Sequence, residues 1–330
     1  MARIEEREIG ANGLRFEALA SGPADGEAVI LLHGYPQSAS SWRGTAGWLA
    51  DQGYRVVAPS LRGYSPGANP PDAASYAMSV LVADVIGIAD AEGIDRFHLV
   101  GHDWGGALAW MVAGAHPGRL LSLTVISTPH PAAMRMALTS STQALRSSYM
   151  GFFRLPRVPE LVLQAGNFAQ MGFGCRVSGL PKKAWLRDRA HLRRIGGLRG
   201  PLNWYRGTAT AMGKPRRITV PTMYIWGRHD LFLGRTAARL TAKFVTGPYR
   251  FVDLDAGHWI ADRNPGDLYR LLGENLAANA PAPLARAGDA TTPARRPRRA
   301  APARAGHGGD GGRSPRRRGS KRQGDAGSQS

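Results

Sequence analysis

Cysteine is nearly absent: Cys175 is the single one in 330 residues, so no internal disulfide can form and the chain suits a reducing compartment. Long hydrophobic runs are missing too. None approaches the roughly 20 apolar residues that span a bilayer, and the amino-terminal MARIEEREIGANG is charged, with no apolar stretch of a secretory leader. The expectation is a soluble cytoplasmic protein with no transmembrane segment. No His/Cys grouping has metal-ligand spacing, so neither a metal nor an organic cofactor is expected. Acidic residues are scarce in one stretch. Between His130 and Arg217 only Glu160 and Asp188 stand against 16 lysines and arginines.

What the chain has is a hydrophobic content of 43%, enough for a sizeable core, and a net charge of +19 that is unevenly spread. Residues 281–330 carry 12 basic and 3 acidic residues in a Pro/Ala/Gly/Arg/Ser setting with little to bury, and are expected to be a disordered basic tail. Residues 1–129 and 218–280 together have a small negative balance, 15 basic against 19 acidic. These shifts divide the chain into a first core part (1–129), an inserted helical lid (130–217), a second core part (218–280) and the tail (281–330).

The core alternates strand and helix patterns. AVILLHG, YRVVAPS, FHLVGHD, LSLTVIS, PTMYIWG and YRFVDLD are short, apolar and bounded by Gly, Pro or Asp, as buried parallel strands are. SVLVADVIGIADAEG, GGALAWMVAGAHPG and LYRLLGENLAANA read as helices between them, which predicts a mostly parallel, doubly wound sheet. The pattern stops after Thr128 and resumes near Val220. Between them, PKKAWLRDRAHLRRIGGL reads as a helix with Pro181 near its first turn and Leu186, Leu192 and Ile195 on one face.

Within Gly101-His102-Asp103-Trp104-Gly105-Gly106, small residues flank Asp103 where a strand turns sharply into a helix. This is a nucleophile-elbow arrangement with aspartate in place of serine. The helix N-terminus favours an anion there, so the carboxylate can stay ionised and attack carbon. Asp230, in IWGRHD, and His258, in LDAGHW, follow at later strand ends in the order nucleophile, acid, base. His258 is the expected base and Asp230 the group that orients it. A helix-capping Asp230 and an ordinary loop His258 remain open at this level. His102 is not expected to be the base, because the elbow turns neighbouring side chains apart. His33, in LLHGYPQ, is expected to hold its loop in shape, and the backbone N–H groups of Tyr35 and Trp104 to form an oxyanion hole.

With these residues in view, the chain over roughly Ile4 to Ala278 resembles the epoxide hydrolases of the α/β-hydrolase fold. The HGYP stretch (His33, Gly34, Tyr35, Pro36), LRGYS (Leu61 to Ser65) and GHDWGG are similar to motifs that this family shares with haloalkane dehalogenases. SSYMGFFRLPRVPE, with Tyr149, and PLNWYR, with Tyr205, are similar to its two lid-tyrosine segments; Arg154 stands where glutamine is common. The resemblance implies that Tyr149 and Tyr205 hydrogen-bond the epoxide oxygen. Packing of both rings against the core is the alternative.

The mechanism implied has two steps: Asp103 opens the epoxide to an alkyl ester while the phenols stabilise the leaving oxygen, then His258 activates a water that releases a vicinal diol. The partners expected are a small epoxide and water, with no dedicated nucleic-acid partner, in a monomer or homodimer. A haloalkane dehalogenase would use Trp104 as halide donor but usually needs a second donor where this chain has Tyr35. A fluoroacetate dehalogenase would carry arginines behind the nucleophile, where Trp104, Gly105 and Gly106 stand. A non-enzymatic reading has the basic lid and tail bind nucleic acid or an anionic surface.

Overall fold

The computed structural model describes residues 2–280; the tail expected from residue 281 onward lies outside the described residues. Its strands are β1 (Ile4–Ala11), β2 (Leu14–Ser21), β3 (Ala28–Leu32), β4 (Arg55–Pro59), β5 (Phe97–His102), β6 (Leu120–Ile126), β7 (Thr222–Gly227) and β8 (Tyr249–Leu254). They form one sheet in the order β1-β2-β4-β3-β5-β6-β7-β8. β1, β2 and β4 pair antiparallel, and every later pairing is parallel. The β1–β2 hairpin is absent from the sequence reading. Its turn is Asn12-Gly13, both at positive φ, the residue pair such a turn demands.

The inner parallel strands β3, β5, β6 and β7 are buried on both sides because helices cover both faces, while the edge strand β8 is partly exposed. On β3, Ile30 and Leu32 enter one core, while Val29 and Leu31 enter the other. The first core packs under α2 (Met78–Ala91) and α3 (Trp104–Ala115), the second under α1 (Arg43–Asp51) and α12 (Pro265–Ala278). α10 (Arg235–Leu240) and α11 (Ile260–Arg263) are short pieces beside β8 in the chain.

Between β6 and β7 the chain makes α4 (Pro131–Ser140), α5 (Gln143–Arg146), α6 (Tyr149–Arg154), α7 (Val158–Val177), α8 (Lys182–Arg194) and α9 (Arg199–Ala211). α7 is broken where Gly166, Asn167 and Phe168 take left-handed backbone angles, and the buried Phe168 side chain fixes the break. On α8 the buried face is Trp185, Asp188 and Leu192, continued by Ile195; Leu186 is exposed, contrary to the sequence reading. At 100° per residue Leu186 lies well off the stripe that Leu192 and Ile195 share. Among the described residues no helix is long and apolar enough to cross a membrane.

The inserted helices share the first core, and a buried charged pair at Arg62 is one of the polar links that hold them to it. The Arg62 guanidinium donates to both oxygens of Asp84 on α2 at 2.7 and 2.8 Å, and its backbone carbonyl accepts from the Trp204 indole of α9 at 2.7 Å. Both charged side chains are buried, so removing one strands the other. Asp84→Ala is expected to lower unfolding free energy by about 3–5 kcal/mol, measured by urea denaturation, whereas a loss below about 1 kcal/mol would mean solvent reaches the pair.

Candidate active site

β5 ends at His102 and α3 begins at Trp104, leaving Asp103 at the turn with φ 52° and ψ −120°. Its neighbours must be small. A Cβ on Gly101 would lie 2.3 Å from the Gly105 carbonyl oxygen, one on Gly105 2.3 Å from that of Leu32, and one on Gly106 2.9 Å from Val125. Across the gap, a Cβ on Gly34 would sit 2.3 Å from that of Asp103. Thr128 Oγ1 donates to the Asp103 carbonyl at 2.7 Å, holding the turn from the end of β6.

Donors surround the carboxylate. The Tyr35 amide donates to Oδ1 at 2.8 Å, and His258 Nε2 stands 3.5 Å from Oδ2. Burial raises the Asp103 pKa, but the hydrogen bond and charge of His258, with His102 and the Trp104 amide, outweigh it and hold the group below its ordinary value. His258 moves the other way. Burial alone would lower it, yet the Asp230 charge, hydrogen bonds to both carboxylates and the Asp103 charge lift it to about 10. His258 Nδ1 donates to Asp230 Oδ2 at 2.7 Å, and Asp230 Oδ1 accepts the Phe232 and Leu233 amides at 2.8 and 3.0 Å.

His33 and His102, the other histidines of the two motifs, bond backbone groups. His33 Nε2 accepts the Leu61 amide at 3.0 Å, and its Nδ1 lies 3.1 Å from the Gly34 carbonyl as donor. It ties the HGYP loop to LRGYS, and burial, first among its causes, lowers its pKa to about 3. His102, lowered chiefly by burial to about 4, donates from Nε2 to the His258 backbone carbonyl at 3.0 Å. Ser127 Oγ donates to that same carbonyl at 3.0 Å.

Tyr149 on α6 and Tyr205 on α9 reach the same place from the inserted helices, their rings edge to face with centroids 6.3 Å apart. Burial foremost, then neighbouring groups that include Asp103, raises both phenols above their ordinary value, so both stay protonated. Two cavities both border Asp103, Tyr149 and Tyr205. One of about 240 Å³ is lined by Tyr35, Pro36, Phe153, Met171, Cys175, Phe232, His258 and Trp259. The other, of about 480 Å³, runs past Trp104, Met134, Met150 and Met212 to the exposed Arg135 and Arg154. The walls are mostly apolar with a few convergent polar groups, as in small-molecule sites.

Several supporting residues escaped the sequence reading. Ser127 is one. Gln143 grips the Asp230 loop, donating to the Phe232 carbonyl and accepting the Gly234 amide, each at 2.8 Å, and Arg146 donates to the Asp230 carbonyl at 3.0 Å. A second cluster joins α8 to the segment after His258. Arg187 donates to Asp188 at 2.8 Å and to Asp262 at 3.2 Å, and Gln37 donates to Asp262 at 2.8 Å. Burial, against the Arg187 charge, pushes Asp188 up to about 6. Gln37 directly follows HGYP, and that was the one visible signal. Apart from the adjacent Arg187 and Asp188, the other partners lie 75 to 131 residues apart, with no local pattern.

Comparison with known proteins gives a consistent family. A model of the alpha/beta hydrolase fold matches residues 27–265. The AB hydrolase superfamily protein YfhM of Bacillus subtilis is 34% identical over 283 residues, covering 81% of this chain and 96% of its own. Epoxide hydrolase A of Mycobacterium tuberculosis is 33% identical over 321 residues, covering 84% and 98%. The crystal structure of epoxide hydrolase A from Mycobacterium thermoresistibile superposes with a TM-score of 0.73 at 27% identity, covering 83% of this chain and 98% of that one.

The charge pattern fixes a pH response. With its pKa raised from 6.5 to about 10, His258 contributes stability fully present below 6.5 and lost as pH rises through about 10. Nitrogen-15 NMR of labelled histidine is expected to show His258 still protonated at mildly alkaline pH. In Asp103→Asn the midpoint should fall by about 1–3 units. An unchanged midpoint would remove Asp103 as a cause.

Proposed function

The chain belongs to the α/β-hydrolase fold family, in its epoxide hydrolase branch, and from that premise we propose that it converts epoxides to vicinal diols through a covalent ester on Asp103. An Asp103 oxygen attacks a ring carbon and the carbon–oxygen bond opposite it breaks. Tyr149 and Tyr205 hydrogen-bond the oxygen as its negative charge grows, and the proton it finally keeps is the one His258 gives up. His258 can release it because esterification removes the Asp103 charge that helped hold it.

The neutral imidazole then takes a proton from water, and the hydroxide adds to the ester carbonyl. The Tyr35 and Trp104 amides receive the oxyanion, as the Tyr35 amide receives a carboxylate oxygen in the resting site. Collapse expels the diol oxygen, which takes the hydroxyl proton remaining on the Asp103 carboxyl; Asp103 returns as a carboxylate and His258 as an imidazolium, with no net gain or loss of protons. Aspartate suits this elbow for a chemical reason. A serine attacking the ring would leave an ether that water could not readily cleave, whereas the aspartyl ester is hydrolysable beside an oxyanion hole.

The observation that carries the reading is the pair of protonated phenols lining the same cavities as a partly buried, ionised Asp103. In this reading residues 130–217 act as the lid that brings the phenols. The dehalogenase alternative lacks such support. Trp104 packs edge to face on Tyr205, with centroids 5.0 Å apart, so its indole is engaged with the phenol ring.

Two experiments test the scheme. Tyr149→Phe and Tyr205→Phe are each expected to slow epoxide opening by up to about 100- to 1000-fold, with the double variant near background and the melting temperature held. Wild-type rates in both would reduce the tyrosines to packing. His258→Gln is expected to stall after the first step, so intact-protein mass spectrometry should find an adduct of substrate mass that Asp103→Ala never forms. Diol formation by Asp103→Ala at the normal rate would exclude the ester.

A further inference from the structure

Apolar side chains left in water are concentrated in one place. Among the described residues eleven large ones are exposed, and ten of them fall between Met136 and Leu186, in the inserted helices. α7 carries the pattern furthest. Val158, Leu161 and Val162 form an exposed stripe at i, i+3, i+4 before the break, with Leu161 72% exposed. Phe173 and Val177 repeat it at i, i+4 beyond the break, 64% and 62% exposed. The opposite face of that second half, Met171 and Cys175, lines the smaller cavity. A surface helix ordinarily turns its polar face to water; this one turns an apolar face outward.

Residues 131–177 carry Arg135, Arg146, Arg154, Arg157 and Arg176 against Glu160 alone, and the rest of the insert adds more cations. Of the 16 lysines and arginines between His130 and Arg217, Arg187, Arg194 and Arg206 are the ones with carboxylate partners among the described residues. The stretch's two acids are consumed in these pairs, Asp188 by Arg187 and Glu160 by Arg206. Arg135 and Arg154 stand exposed at the outer part of the larger cavity, beside exposed Leu138.

We propose that the outer face of α4–α7 docks on an anionic lipid bilayer, with the apolar side chains entering the interface and the arginines meeting headgroups. The larger cavity then opens toward the lipid, and lipophilic epoxides pass along it to Asp103. Cations and exposed apolar residues on one face are the pairing that interfacial helices use. A nucleic acid would engage the cations and leave Leu161 and Phe173 in water. A second copy would bring a surface of the same positive charge against this one. What is delivered rests on the epoxide reading; the docking itself does not.

The test measures binding without substrate, so its outcome stands apart from diol formation. The full chain is sedimented with vesicles of phosphatidylcholine alone and of phosphatidylcholine with phosphatidylglycerol, at low and high salt. The wild type should bind the anionic vesicles and keep part of that binding at high salt. The variant Leu145→Ser/Leu161→Ser/Phe173→Ser/Val177→Ser should bind about tenfold or more weakly, with an unchanged melting temperature and unchanged turnover of a small water-soluble epoxide. Four results would overturn the proposal: no vesicle binding by the wild type, equal binding by the variant, binding wholly abolished by salt, or tighter binding to duplex DNA than to either vesicle. So would a wild-type dimer that the variant converts to monomer, which would make the face a contact between copies.

Discussion

Asp103 is held at φ 52° and ψ −120°, a backbone conformation that costs a non-glycine residue about 1–3 kcal/mol, and it carries a partly buried carboxylate besides. Neither cost could stand without the surroundings. The loop after β3, the end of β5 and the start of α3 contribute space at Gly34, Gly101 and Gly105, Thr128 fixes the carbonyl, and two backbone amides with an imidazolium take up the charge. The sheet order follows the same demand. β5 lies between β3 and β6, so the HGYP loop and the segment carrying Ser127 and Thr128 arrive on either side of the elbow.

The charges in the site are stable only as a set. Asp103 and Asp230 lift His258, His258 lowers Asp103, and Asp230 is itself seated on the Phe232 and Leu233 amides. The inserted helices take part in this balance as well as in covering it. Through Gln143 and Arg146, α5 holds the carbonyls of the loop that presents Asp230, so the acid is positioned from the insert side while the imidazole is positioned from the sheet side by His102 and Ser127.

The legible parts of the chain were those where one side chain's chemistry is written locally. Buried strands announce themselves as short apolar runs, and Asp103 stands out because a carboxylate between glycines at a strand end is costly without a role. Asp230 and His258 were legible by position, each just past a strand. The Asn12-Gly13 hairpin was written as plainly and went unread beside the parallel pattern. α8 was read as a helix, but its phase was misjudged because Trp185 and the buried, charged Asp188 hold the inner face that a leucine count assigned to Leu186. What could not be read was the set that works through backbone carbonyls across long separations. Ser127, Gln143 and Arg146 look like ordinary polar residues until the fold brings them to their partners.

The Gln37–Asp262–Arg187–Asp188 cluster has a mechanical consequence. It fastens α8 to the segment just after His258, and three more links act on the same side: the Trp259 indole to Ser178 Oγ, His191 to the Tyr64 carbonyl, and the Trp204 indole to the Arg62 carbonyl. By contrast, the polar ties of α7 through Glu160 and Gln164 run to Arg206 and Leu198, within the insert itself. The ties of the insert to the sheet are therefore gathered at α5, α8, α9 and the end of α7, and α6 sits between them. A displacement of α6 alone would carry Tyr149 away from Asp103 and leave the imidazole and its acid standing in place.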